Sequence, residues 1–340
     1  MPTSTPINAY AAASADAKLE PFTYDPGTLA PDEIEITVTH CGLCHSDLSM
    51  LKNDWGMTQY PFVPGHEITG TIAAKGANVH HLEEGQPVGL GWYAHSCMTC
   101  HQCMSGDHNL CQSAQATIVN RHGGFADRVR CNAEWAIPLP EDLDATKAGP
   151  LFCGGITVFN PITQFGVRPT HRVGVVGIGG LGHLALQFLN AWGCEVTAFT
   201  STGAKMDEAT QLGAHRCVNS RSDEELEAEA GRHDFILVTA NATLNWELYF
   251  NALAPKGKLH FVGAVPEPVP VAAFPMILAQ RSLTASPLGS PATTKTMLDF
   301  CTRHNIEAQC EFFPMSKCNE AMDHLEAGKA RYRVVLTANE

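Results

Sequence analysis

The sequence predicts a two-domain α/β protein, a β-rich domain and a doubly wound parallel sheet, on three observations. The first is length: 340 residues leave room for about two domains of ordinary size. The second is the stretch from Ile34 to Gly91, where short β-rich runs (IEITVTH, EITGTIAAKG, PVGLGW) alternate with turns rich in Gly, Pro, Asn and Asp, with no long helical period. The third is the change of character at Arg172. From there VGVVG, LGHLALQFLNAWG, EVTAF, AKMDEATQLG, HDFILVTA and KLHFVGA follow one another as β-α-β repetition.

Beyond Ser290 come a helical pattern over Thr293–His304, a strand-like EAQCEFF, a helical pattern from Ser316 to Ala327 and a final RVVLTA. With no fixed-period repeat and no low-complexity linker, these segments are expected to rejoin the first domain, giving boundaries of 1–152 with 291–340 and 153–290. The net charge of −13 argues against a uniform basic surface for nucleic acid or an anionic membrane. The start of the chain, Met1 to Phe22, has no basic leader, and Asp16, Lys18 and Glu20 interrupt any apolar run. The longest apolar stretch, Val173–Leu189, is short for a membrane span and its five glycines suit a strand, turn and helix. Thirteen cysteines, an odd number with four tightly clustered, favour thiolate metal ligands in a reducing cytoplasm over disulfides.

Those four are Cys97, Cys100, Cys103 and Cys111, spaced C-x2-C-x2-C-x7-C in a polar loop. Four thiolates close a tetrahedron around zinc and leave no position for a substrate, so this set points to loop rigidity and folding energy. An iron-sulfur cluster is the rival occupant, and four unrelated buried thiols the plain alternative. A second set is dispersed: CGLCHSD at Cys41 to Asp47, GHE at Gly65 to Glu67, and Cys153 in FCGGIT. Singly, such a histidine is more often a core or solvated side chain and such a cysteine an inert small hydrophobe. Their conjunction gives them weight.

In order along the chain, CGLCHSD, PFVPGHE, the cysteine loop, GGFAD at Gly123 to Asp127, LFCGGIT, GIGGLGH and RYRVVL resemble the zinc-dependent medium-chain alcohol dehydrogenases, and most nearly their cinnamyl-alcohol-dehydrogenase-like branch of aldehyde reductases. The resemblance spans nearly the whole chain. It implies a GroES-like catalytic domain beside a Rossmann cofactor domain, and two zinc ions per chain, one catalytic and one structural. Cys44, His66 and Cys153 would be the catalytic ligands, with Glu67 close by. Two thiolates and an imidazole leave a fourth position open, as Lewis-acid catalysis requires. Ser46, beside His45, would be the first proton-relay hydroxyl, and Asp47 a carboxylate that orients the ligands. The chain departs from many relatives at Ser49, where they carry a histidine, so protons would leave through His45, water or solvent. On its own, Ser46 reads as a hydroxyl bonded to a nearby carbonyl.

The run VGVVGIGGLGH sets Gly177, Gly179, Gly180 and Gly182 between an apolar strand and an apolar helix, where backbone amides can meet a pyrophosphate. By resemblance Leu181 packs on the nicotinamide, Thr157 lies beside it, and Arg333 binds pyrophosphate. The second strand, EVTAF, is followed by Thr200, Ser201, Thr202, Gly203, Ala204 and Lys205, with no carboxylate before Asp207. An acid there would bond the ribose hydroxyls and repel a 2′-phosphate. Hydroxyls and a lysine therefore favour NADP(H) over NAD(H), although Lys205 by itself would read as a surface charge.

Trp55 and Trp92 fall where relatives line the substrate pocket, with Met50, Met57 and Tyr93 as weaker candidates. Two indoles favour slim primary alcohols or flat aromatic aldehydes over bulky ketones, though tryptophan is also a common core residue. The expected function is hydride exchange between NADP(H) and a primary alcohol or aldehyde, in a homodimer or homotetramer. The alternatives are an NAD-dependent polyol or sugar dehydrogenase of the same superfamily, and a non-catalytic structural relative, against which both intact ligand sets count.

Overall fold

The computed structural model describes residues 5–201 and 203–338; Thr202 and the first four residues of the N-terminal stretch lie outside the described residues. Two compact units emerge, Met1–Cys153 with Gly289–Glu340, and Gly154–Leu288.

The first unit is organised by the strand Glu33–Leu43. Its apolar side chains Ile34, Ile36, Val38, Cys41 and Leu43 are buried in one core with Ile68, Val88, Phe125 and Val129. The strand pairs antiparallel with Glu67–Lys75, Arg128–Asn132 and Arg333–Thr337, and the last of these pairs in parallel with Cys310–Pro314. The C-terminal segment thus rejoins the first sheet, in the register Val334 opposite Leu43. Its helices run Pro291–His304, capped by the Ser290 hydroxyl, and Cys318–Glu326, entered through a short 3-10 turn at Met315–Lys317.

One element was not anticipated in this β-rich stretch. His45–Lys52 is an eight-residue helix, N-capped at Cys44, where the Asp47 carboxylate accepts from the Cys44 amide, and closed by Asn53 in the left-handed region.

The second unit holds a six-stranded sheet, parallel throughout, in the order Arg216–Asn219, Glu195–Thr200, Arg172–Val176, His233–Val238, Leu253–Phe261, Ser282–Ala285. That is the doubly wound order with its crevice at the carboxyl ends of the central strands. Between the strand Arg172–Val176 and the helix Gly182–Trp192 lies the glycine turn. Gly177 has φ +90°, and a Cβ on Gly182 would stand 2.1 Å from the Gly177 carbonyl oxygen, so neither position accepts a side chain. The unit opens with the helix Gly154–Gln164, nearly all of it buried. Among the described residues no helix is long and apolar enough to cross a membrane.

Candidate active site

Three strand ends meet at one edge of the first sheet. Glu33–Leu43 finishes beside Cys44, Glu67–Lys75 begins just after His66, and the final strand begins at Arg333; antiparallel pairing brings these ends together. Cys153 joins them from the 3-10 segment Gly149–Phe152. One donor atom from each of Cys44, His66, Glu67 and Cys153 lies within 4.8 Å of the others. The Cys44 and Cys153 sulfurs are 3.9 Å apart, and His66 Nε2 is 3.3 Å from Cys153 Sγ. A tetrahedral zinc with bonds of about 2.3 Å to sulfur and 2.0 Å to nitrogen needs donor separations of roughly 3.5 to 3.8 Å, so the set fits such an ion.

Asp47 holds this arrangement. Fully buried, its carboxylate accepts from the Cys44 amide at 2.9 Å and the Gly65 amide at 2.8 Å, and meets His66 Nδ1 at 3.1 Å, which leaves Nε2 as the ligand atom. Glu67 is equally buried. One oxygen pairs with the Arg333 guanidinium, and the other, Oε2, has no hydrogen-bond partner among the described residues. Room for that carboxylate depends on Gly42, where a Cβ would stand 2.2 Å from Oε2. Gly65, at φ +101°, turns the chain so that His66 enters the centre. The roles of Gly42 and Gly65 were not foreseen, although both sit inside the motifs CGLC and GHE.

Charge in this pocket is unbalanced. The hydrogen bond with Cys153 draws the Cys44 thiol well below its usual range against the cost of burial, while the same bond and then burial push Cys153 well above it. Burial depresses His66, yet Asp47 overcomes this and raises it well above the ordinary imidazole range. Burial raises Glu67 despite the opposing Arg333. Two thiols and two buried carboxyls set against one guanidinium leave an excess of negative charge that a divalent cation would neutralise.

Arg333 is 5% exposed and is engaged with Glu67 and the Leu43 carbonyl, because the last strand pairs beside CGL. Ser46 Oγ lies 3.8 Å from Cys44 Sγ, His45 is exposed, and Ser49 sits half-buried one turn along the same helix.

Trp92 packs edge-to-face on the His66 ring, with centroids 5.0 Å apart, and Trp55, 40% exposed, packs in the same manner on Trp92 at 6.0 Å. The two indoles therefore stand in line from the metal ligand outward. Of the weaker candidates, Met57 is exposed, Met50 is core with Phe62 and Ile118, and Tyr93 packs on Trp135. Met50 falls on the inner face of its helix, in a cluster against which Trp92 also packs.

The cysteine loop is a separate centre. Cys97, Cys100, Cys103 and Cys111 present sulfurs within 4.8 Å of one another, with Cys97 3.5 Å from Cys111 and 4.0 Å from Cys103, the edges of a four-thiolate tetrahedron. Amide donors from Thr99 and then Cys100 lower the Cys97 thiol to about 6, whereas burial raises Cys103 to about 12.

In the second unit the glycine turn lies at the carboxyl edge of the sheet, its Gly177 amide bonded to the Phe199 carbonyl at 3.1 Å. Leu181 caps the helix Gly182–Trp192, and Thr157 is buried in the helix Gly154–Gln164. Thr200 ends its strand almost fully buried, while Ser201 and Lys205 are partly exposed.

Two family models match the chain: the alcohol dehydrogenase GroES-like domain over residues 30–141 and the zinc-binding dehydrogenase domain over residues 180–303. The chain belongs to the zinc-dependent medium-chain alcohol dehydrogenases, in their cinnamyl-alcohol-dehydrogenase-like branch of aldehyde reductases. It is 55% identical to the aldehyde reductase AdhA of Synechocystis over 97% of this chain and 98% of the relative. Among solved structures it resembles a cinnamyl alcohol dehydrogenase of Sorghum bicolor (TM-score 0.93, 33% identity, 98% of both chains) and one of Helicobacter pylori complexed with NADP(H) (TM-score 0.91, 27% identity, 99% of both chains).

Proposed function

We propose that this alcohol dehydrogenase acts on primary alcohols and aldehydes with a preference for NADP(H) over NAD(H), and that its two metal centres hold one zinc each for different purposes. What carries this function is the pairing, in one chain, of an open Cys44, His66, Cys153 set beside a buried Asp47 with a closed four-thiolate loop. Zinc at the open set supplies a Lewis acid for the substrate oxygen, and NADP(H) supplies the hydride exchange. Asp47 fixes the His66 tautomer and ring. Arg333 anchors Glu67 at the edge of the ligand set. Ser46, beside Cys44, passes the proton toward the exposed His45 and solvent. Trp92 and Trp55 line a narrow approach that suits slim or flat substrates. The named relatives, an aldehyde reductase and a cinnamyl alcohol dehydrogenase with bound NADP(H), support the substrate and cofactor class.

By this reading the unit Met1–Cys153 with Gly289–Glu340 is the catalytic domain and Gly154–Leu288 the cofactor domain. Thr157, Gly177, Gly179, Gly180, Leu181, Gly182, Thr200, Ser201, Lys205 and Arg333 serve the cofactor. The enzyme works as a homo-oligomer in a reducing cytoplasm. All thirteen cysteines are free, and Phe274, Ile277 and Leu278 stand about 70% exposed on a helix that leads into the edge strand Ser282–Ala285, a face suited to a second copy.

The test is the ratio of kcat/KM for NADPH and NADH with a panel of aldehydes, beside zinc content per chain. Two zincs and a preference for NADPH are expected. Lys205→Ala should weaken NADPH by roughly one to two decades and leave NADH unchanged. A parent that prefers NADH, or a variant that loses both cofactors alike, refutes the cofactor preference.

A further inference from the structure

A 2′-phosphate carries close to two negative charges at neutral pH, yet the loop after Glu195–Thr200 offers one cation, Lys205, before Asp207. The topology brings a second cation to the same rim. Arg216–Asn219 is the edge strand and pairs in parallel with Glu195–Thr200, Asn219 opposite Thr200, so both strands finish at the carboxyl edge of the sheet about 4.8 Å apart. One residue further the two chains are still tied: the Ser220 amide donates to the Thr200 carbonyl at 3.0 Å. Arg221 comes next. Its amide is fixed to Asn219 Oδ1 at 3.1 Å, its side chain is exposed, and among the described residues neither Arg221 nor Lys205 makes an ion pair.

The acids that follow do not occupy it. Glu225 spends a carboxylate oxygen on the Asn219 amide at 2.8 Å, and the Ser222 hydroxyl caps the short helix Asp223–Glu227, whose acidic first turn is stabilised at that helix end. Backbone position is thus held on both sides of Arg221 while its guanidinium is left uncommitted.

We propose that Arg221 is a cofactor-specificity residue, its guanidinium pairing from the end of the edge strand with the 2′-phosphate that Ser201 and Lys205 approach from the neighbouring strand end. This rests on the NADP(H) preference argued above. A planar two-pronged donor on one side and a point charge on the other would balance the phosphate, and neither would touch a cofactor that lacks it.

The experiment titrates the zinc-loaded enzyme calorimetrically with adenosine 2′,5′-bisphosphate and with 5′-AMP, which differ by the 2′-phosphate alone. The parent should bind the bisphosphate more tightly. Arg221→Gln should weaken the bisphosphate about tenfold, the lower range for a charge-assisted contact at an exposed site, and leave 5′-AMP unchanged; Arg221→Lys should retain part of the difference. Because the side chain is exposed, the variants should melt with the parent. If Arg221→Gln shifts neither ligand, or both equally, in a parent that does prefer the bisphosphate, the assignment of Arg221 is overturned. A parent that binds both ligands alike overturns the NADP(H) preference itself, and Arg221 falls with it.

Discussion

Replacing Asp47 by Asn, nearly isosteric, tests how far the open metal centre depends on one buried carboxylate. Oδ1 accepts from Gly65 and meets His66, and Oδ2 accepts from Cys44. An amide that keeps its oxygen at the Oδ1 position turns its NH2 toward the Cys44 amide, and this places donor against donor at a cost of about 1 to 3 kcal/mol. The two remaining bonds lose their charge assistance, about 1 kcal/mol each. The first unit should therefore lose about 3 to 5 kcal/mol, and the orientation of His66 with it. Loss of such an outer partner typically weakens a metal site 10- to 100-fold. Chelator competition should show one of two zincs released at correspondingly lower chelator, and excess zinc should restore much of kcat/KM. A variant whose metal affinity and denaturant midpoint match the parent would refute the orienting role.

The other tests address separate parts of the molecule. Cys153→Ala should abolish turnover and leave a folded chain with about one zinc, whereas Cys100→Ala should lose thermal stability, because energy from a structural zinc is folding energy; a Cys100 variant that melts with the parent and keeps two zincs would dissolve the distinction. Ser46→Ala should slow alcohol oxidation by about 10²-fold with cofactor binding intact, and Ser49→His should raise oxidation at lower pH, read from the two pH profiles. Burial holds His260 at about 4, against 6.5 when exposed, with Thr284 and Ser286 hydroxyls on its two nitrogens. The unfolded chain binds the extra proton between those values, so stability is full above pH 6.5 and falls on acidification toward 4, by an amount on the order of 3 kcal/mol. Urea titrations across that window should show a shallower fall in His260→Gln, and an unchanged slope would mean that this imidazole is not linked to folding.

Features written within a few neighbouring residues are legible in the sequence itself. Cys97 to Cys111 span one loop, so spacing alone is enough to bring four thiols around an ion, and the strand, glycine turn and helix around Gly177 to Gly182 form a local unit in the same sense. Alternation in IEITVTH and the β-α-β rhythm after Arg172 report burial directly, because side chains must match the face that the core covers. The dispersed ligands are readable only as a family pattern, since no local spacing connects Cys44 with Cys153. The helix at His45–Lys52 escapes such a reading because its apolar stripe is weak and its start depends on the Asp47 carboxylate meeting the Cys44 amide.

What tertiary structure alone decided is which distant residues share a neighbourhood. Arg333 stands against Glu67 because the last strand inserts beside Glu33–Leu43 in a particular register, and a slip of one residue would point it to the opposite face. Met50 is buried against Phe62 and Ile118, which come from outside its own helix. Arg221 reached the rim of Ser201 and Lys205 through the order of parallel strands. Pairing across long separations is chosen by the burial of whole sheets, a cooperative quantity that no short window of residues contains.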